Sequence, residues 1–170
     1  NPADTVKAKA SFIRLNQAMQ CFESRFGPYL FDRVGYVGVP FNAGAMEHAC
    51  NISYPLYAVD GSTNYETLMA HELSHHWFGN LATTAVAGDM WLNEGWASYC
   101  EALFLECAYG LEAYDEEINS NTFDVLRNAH IRDKQYLSVA NVPLEQTYGT
   151  HVYTKGSLIA HSLRVFTNND

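Results

Sequence analysis

Five residues of the sequence have the types and spacing to hold and use a metal ion: His71, Glu72, His75, Glu94 and, beyond them, Glu101. His71-Glu72-Leu73-Ser74-His75 places two imidazoles at i and i+4, about 40° apart around a helix axis, so both project from one face toward a common point. Zinc favours neutral imidazole nitrogens and a carboxylate oxygen at roughly 2.0–2.1 Å, and a catalytic site keeps a fourth position for water. After eighteen intervening residues comes Asn93-Glu94-Gly95-Trp96-Ala97, and Glu94 is the natural third ligand. Glu72 is turned about 100° from the first ligand, beside the metal rather than on it, where a general base would stand. Zinc so held lowers the pKa of its water from 15.7 to about 7, and Glu72 is placed to take the proton. The competing reading is a pair of solvated or core histidines.

The elements that must position these residues are visible in the periodicity. Thr63 and Glu66 form a T-x-x-E capping box ahead of the pentapeptide. Leu68, Met69, Leu73, Trp77 and Leu81 then continue at helical spacing to a Gly79-Asn80 stop. A second long helix carries Trp91, Glu94, Ala97, Ser98, Glu101, Leu105 and Ala108 and ends near Gly110. A carboxylate on an otherwise apolar helix face needs a partner, and zinc would supply one for Glu94. Glu101, two turns later on nearly the same face, is either an acceptor for a ligand imidazole or a surface carboxylate.

Ahead of the metal helix, residues 5 to 26 read as one amphipathic helix through Phe12, Leu15, Met19, Phe22 and Phe26, ended by Gly27-Pro28. Residues 33 to 40 alternate like a strand. Extended pieces follow at 47 to 53 and 56 to 59, and Pro55 between them favours a sheet edge. Residues 83 to 88 read as a connection. Residues 112 to 132 form a more polar helix whose Asp115, Glu116, Glu117 and Asp124 are a solvated face. A loop containing Pro143 and Gly149 leads to a last helix from Val152 to Phe166, with Tyr153 in its first turn.

At 170 residues, 48% hydrophobic and 14% aromatic, the chain can bury a substantial core. The formal net charge of −9 gives no footprint for nucleic acid or an anionic membrane; it suits a cationic group such as a free amine, or serves solubility alone. No apolar run approaches the roughly 20 residues of a membrane span and no signal peptide opens the chain. The start at Asn1-Pro2 points to a fragment or processed product, so compartment stays open. Cys21, Cys50, Cys100 and Cys107 lack C-x-x-C spacing, and Cys100 and Cys107 lie about 10 Å apart along a helix, so all four read as free or buried thiols. His76 points off the ligand face, either to the surface or beside a ligand. His151 reads as polar filling that could touch substrate, and His130 and His161 show no ligand partner. Trp77, Trp91 and Trp96 read as core or wall residues.

Three ordered segments together carry a family resemblance: Gly44-Ala45-Met46-Glu47-His48, His71-Glu72-x-x-His75 followed by Glu94, and Val152-Tyr153-x-Lys155-Gly156. The combination closely resembles the catalytic domain of the aminopeptidase N family of gluzincins, which includes leukotriene hydrolases, over about residues 6 to 166. The resemblance implies an α+β, thermolysin-like domain over residues 1–170: a small mixed sheet with an edge strand, then a mostly helical half, with one zinc ion between them. By matching position it implies zinc ligands at His71, His75 and Glu94, a general base at Glu72 and a transition-state tyrosine at Tyr153. Gly44, Ala45, Met46 and Glu47 would bind substrate, Glu47 holding the free amino terminus. His48 stands where the family usually has Asn. On its own residues, Glu47 reads as a strand-edge carboxylate and Tyr153 as either an oxyanion donor or a core tyrosine. The implied activity is hydrolysis of the first residue from peptides with a free α-amine. The alternatives are a thermolysin-type endopeptidase and a non-catalytic zinc-binding domain. The family's flanking domains, which wall the cleft, would be expected in the full-length protein.

Overall fold

The structure of the chain, a computed structural model, describes residues 4–167; Asn1 and Pro2 lie outside them. Its helices are α1 (Thr5–Ser11), α2 (Leu15–Phe26), α3 (Glu66–Ser74), α4 (Glu94–Tyr109), α5 (Leu111–Asp124), α6 (His130–Arg132) and α7 (Thr154–Thr167), and its strands are β1 (Tyr36–Val39) and β2 (Ile52–Pro55). β1 and β2 pair in parallel with Tyr36 opposite Ile52, and Met46 joins the other side of β2 antiparallel, exchanging two hydrogen bonds with Ser53. The sheet is therefore small and mixed, as the family resemblance implies.

Four helical features differ from the expectations. The expected helix over 5 to 26 is two helices, because Phe12 packs between the rings of Tyr36 and Tyr54 and Ser11 Oγ accepts the Gly61 N–H, drawing the chain out of line at residues 12 to 14. The Thr63–Glu66 capping box does not form. Tyr65 occupies the N-cap with no side-chain cap bond, and the buried Glu66 carboxylate pairs instead with Arg14 and Tyr109. The metal helix stops at Ser74 rather than running to Gly79, since the Phe78 carbonyl turns back to accept from His75 Nδ1. The expected 112 to 132 helix is interrupted by a π-turn at Val125–Ala129. The extended piece expected at 56 to 59 is a 3₁₀ turn, Leu56–Ala58.

The core has two parts joined by α4. Phe22, Ile52, Tyr54, Met69, Leu73 and Phe104 pack one side; Tyr99, Leu103, Tyr114, Ile118 and Ala160 pack the other. A helix apolar around most of its circumference, like α4, is a buried one. The tyrosines of the sheet fasten α3 from below, Tyr36 donating to Met69 O at 2.7 Å and Tyr54 to Tyr65 O at 3.0 Å. From the other side, Glu106 of α4 receives Arg25 of α2 and a two-pronged contact from Arg164 of α7.

The reading of four free thiols is corrected here. Cys21 on α2 and Cys107 on α4 form a disulfide with Cα atoms 6.2 Å apart, and only Cys50 and Cys100 are free. The two partners are separated by 86 positions and meet only because α2 packs on α4, which no local spacing reveals. Closing so long a loop restrains the unfolded chain, so replacing Cys21 and Cys107 by Ser should lower the unfolding free energy by about 2–4 kcal/mol in urea titrations. Thiol titration of the unfolded, unreduced chain should find the two free cysteines and not all four.

Candidate metal centre and cleft

His71 lies in the last turn of α3 and His75 is its C-cap, still in helical conformation, so the i, i+4 geometry survives the early stop. Glu94 is the first residue of α4. The three ligand-type atoms form a near-equilateral triangle: His71 Nε2 to His75 Nε2 3.1 Å, His75 Nε2 to Glu94 Oε2 3.2 Å, and His71 Nε2 to Glu94 Oε2 3.3 Å. A tetrahedral ion with bonds of 2.0–2.1 Å separates its ligands by about 3.3–3.4 Å, so the donor set fits zinc closely. The remaining ring nitrogens have fixed partners. His71 Nδ1–H donates to Glu101 Oε1 at 2.8 Å and His75 Nδ1–H to Phe78 O at 2.9 Å, which turns both Nε2 atoms inward.

The electrostatics among the triad's own side chains follow from this crowding. Burial opposes a charge on His71, but the carboxylates of Glu101 and Glu94 outweigh it and raise the imidazole to about 10. Burial likewise opposes ionisation of Glu94, and the two imidazoles overcome it, holding the carboxyl down to about 2. Glu72 behaves otherwise. It is 5% exposed, its Oε2 has no hydrogen-bond partner, and burial pushes its carboxyl up to about 7.

Glu94 and Tyr153 face one cleft because α4 and α7 touch backbone to backbone at their starts. A Cβ on Gly95 would lie 2.9 Å from Gly156 Cα and 3.0 Å from Val152 O, so neither helix could approach so closely with a larger residue at this crossing. Tyr153, directly ahead of α7, lays its ring parallel to the His71 imidazole with centroids 6.1 Å apart. Burial, followed by the Glu94 carboxylate, raises its phenol far above the ordinary tyrosine range, so it stays a proton donor.

The cleft, about 320 Å³, is lined by Gly44, Ala45 and Glu47 on one side and by His71, Glu72, His75, Glu94, Glu101 and Tyr153 on the other. Met46 is exposed and absent from the lining, as alternation along an extended segment requires when Ala45 and Glu47 face in. His48 also lies outside: it is exposed, with Nδ1 3.2 Å from Ser53 Oγ.

Several residues that fix this geometry carried no usable sequence signal. Asn80, legible only as a helix stop, donates from Nδ2 to Glu47 O at 2.7 Å and so ties the Glu47 segment to the turn after the metal helix. Asn93 holds the entering loop, accepting from Thr84 N at 3.1 Å and donating to Thr83 Oγ1 at 2.9 Å. His76 is not at the surface: it is 1% exposed and its Nδ1 lies 2.9 Å from Tyr29 Oη. His161 pairs with Tyr114, His130 stacks on Tyr136, and His151 is buried against Asp133.

Comparison with known proteins gives the family and the fold. The model for the Peptidase family M1 domain matches residues 12–170. Aminopeptidase N of Oryctolagus cuniculus is 32% identical over 161 residues, covering 84% of this chain but 17% of that protein. The chain thus spans about one sixth of the length of this curated relative. Among solved structures, the M1 zinc metallopeptidase from Deinococcus radiodurans superposes with a TM-score of 0.76 at 26% identity, over 89% of this chain and 32% of that one. Leukotriene A4 hydrolase from Saccharomyces cerevisiae shares the fold, with a TM-score of 0.77 at 22% identity, over 91% of this chain and 26% of that one.

Proposed function

Because the chain belongs to peptidase family M1, we propose that it forms the zinc-binding catalytic unit of an aminopeptidase that removes the first residue from peptides with a free α-amine. The observation that carries the reading is the convergence, in one cleft, of a zinc-sized His71–His75–Glu94 triangle, an unpartnered carboxylate at Glu72 and a carboxylate at Glu47. His71, His75 and Glu94 hold the metal, oriented by Glu101 and the Phe78 carbonyl. When bound, zinc supplies a Lewis acid that polarises the scissile carbonyl and acidifies the attacking water.

The chain's own residues do the rest. Glu72 takes a proton from the attacking water and passes it to the departing amine, a transfer suited to a carboxyl lifted toward neutrality. Tyr153, kept protonated, donates its O–H to the carbonyl oxygen as negative charge builds there. Four carboxylates, from Glu47, Glu72, Glu94 and Glu101, line the cleft, and zinc offsets two of their charges. The remaining negative field favours an α-ammonium group, and Glu47 is its anchor. Flanking domains of the full-length protein complete the walls of the cleft. The Cys21–Cys107 bond suits an oxidising compartment, and among the described residues no helix is long and apolar enough to cross a membrane.

The direct test is hydrolysis of one fluorogenic aminoacyl amide with its amine free and the same compound N-acetylated. Cleavage of the free amine alone is the expected result. Equal cleavage of both would make the protein an endopeptidase.

Zinc uptake should also release protons. In the metal-free chain His71 is protonated below about 10, and an imidazole must be neutral to bind zinc. Calorimetric titration with zinc at pH 7.5, in buffers of different ionisation enthalpy, should therefore report about one proton or more released per ion, and affinity should fall as pH is lowered. Binding without proton release would remove His71 from the ligand set.

A further inference from the structure

Asp133 follows α6, is 4% exposed, and directs its whole carboxylate at one short segment of another part of the chain. Its Oδ1 accepts the backbone N–H of Thr150 at 3.0 Å, and its Oδ2 accepts the backbone N–H of His151 at 2.8 Å and the imidazole Nδ1–H of the same residue at 2.5 Å. The contact is built for closeness: a Cβ on Gly149 would meet Asp133 Oδ2 at 2.9 Å. Burial works against the charge on Asp133, yet the donors from His151 and Thr150 prevail and hold its carboxyl below the usual range.

What this anchor fixes is the approach to Tyr153. Val152 N and Tyr153 N both donate to Gly149 O, at 2.9 and 3.2 Å, and Thr154 N and Lys155 N both donate to Thr150 O, at 3.0 and 3.1 Å. Every backbone step from the anchored residues into α7 is thus closed by a hydrogen bond. Lys155 Nζ donates to Leu137 O, tying the same turn to the loop that follows Asp133. The π-turn at Val125–Ala129 belongs to this arrangement. A π-turn adds a residue to the helical turn and rotates what comes after it, and what comes after it here is α6 and Asp133, whose N–H returns to Ala129 O.

We propose that Asp133, acting through His151 and the backbone N–H groups of residues 150 and 151, is a positioning residue that holds Tyr153 in its pose over the metal triad. The inference rests on the role given above to Tyr153. Asp133 touches neither the cleft nor the triad; it acts by preventing the turn from drifting. Displacing a transition-state donor by about 1 Å costs on the order of a hundredfold in rate, and such a cost appears in kcat when the group acts only in the transition state.

The test is a kinetic double-mutant cycle on the zinc-loaded protein with a free-amine aminoacyl amide, using Tyr153→Phe, Asp133→Asn and the double variant. In Asp133→Asn an amide N–H replaces an acceptor that faces N–H donors. It should lower kcat about 10- to 100-fold while KM and zinc content hold, and in the Tyr153→Phe background the same change should cost less than about twofold, because the group it positions is gone. His151→Gln keeps both backbone contacts and should show the same non-additivity at a smaller loss, about 3- to 10-fold. It decides the matter should Asp133→Asn lack a cooperative thermal transition. If Tyr153→Phe alone leaves kcat unchanged, the role of Tyr153 fails and the inference with it. If Tyr153→Phe is strongly impaired but the second change costs the same in both backgrounds, the positioning inference alone is overturned.

Discussion

Glu72→Gln should keep its zinc and lose at least about two orders of magnitude in kcat, the scale of general-base contributions. The substitution preserves the volume of a residue that is buried on α3 and removes only its capacity to carry a proton. Glu72 is not part of the His71–His75–Glu94 triangle, so metal content measured on the purified variant should match the wild type. Full activity with zinc bound would refute the assignment. A second readout needs no substrate. Burial raises the folded-state carboxyl from its ordinary value to about 7, so the zinc-free fold favours the protonated form. Its stability falls as pH rises from about 4.5, and the loss is complete above about 7. Gln cannot ionise. The zinc-free Glu72→Gln variant should therefore match the wild type in thermal midpoint near pH 4 and exceed it at pH 8.

The candidate metal centre was legible because its ligand-type residues lie on helices whose pitch fixes their direction. His71 and His75 share a face in any α-helix, and the final turn of α3 needed to persist only as far as the C-cap for that argument to hold. Glu94 was legible because an acid among Trp91, Ala97 and Leu105 is costly without a cation. The Tyr153 and Glu47 segments needed resemblance, since neither an isolated tyrosine ahead of a helix nor a strand-edge glutamate declares a role. What stayed hidden is tertiary pairing. The partner of Cys21 is set by how α2 lies on α4, and the partner of Asp133 by where a π-turn sends α6. The capping box failed for the same reason: Arg14 and Tyr109, remote in sequence, offered Glu66 a charged and hydrogen-bonded alternative to Thr63. Local rules predicted local geometry, and distant contacts overruled them wherever a charge found a better partner.

Glu47→Gln should separate recognition from chemistry. Glu47 is half-buried in the cleft, with its backbone held by Asn80 and the preceding residue by the Met46–Ser53 pairing, so its carboxylate is presented by a segment pinned at both places. A partly desolvated ammonium–carboxylate contact is worth roughly 2–3 kcal/mol when one charge is removed, the low end of measured values for buried pairs. Glu47→Gln should accordingly lose about 30- to 150-fold in kcat/KM on a free-amine aminoacyl amide, while hydrolysis of the N-acetylated compound changes by less than about threefold. The dependence on pH carries the same signature. A peptide α-amine titrates near 7.7–8.0, so wild-type kcat/KM should fall as pH rises through that range and the substrate loses its charge, whereas the variant, with no anion to meet it, should show a flatter profile there. His48 lies outside the cleft beside Ser53, so His48→Asn should leave the ratio of the two substrates within about threefold of wild type. Loss of that ratio in His48→Asn but not in Glu47→Gln would move the amine anchor off Glu47.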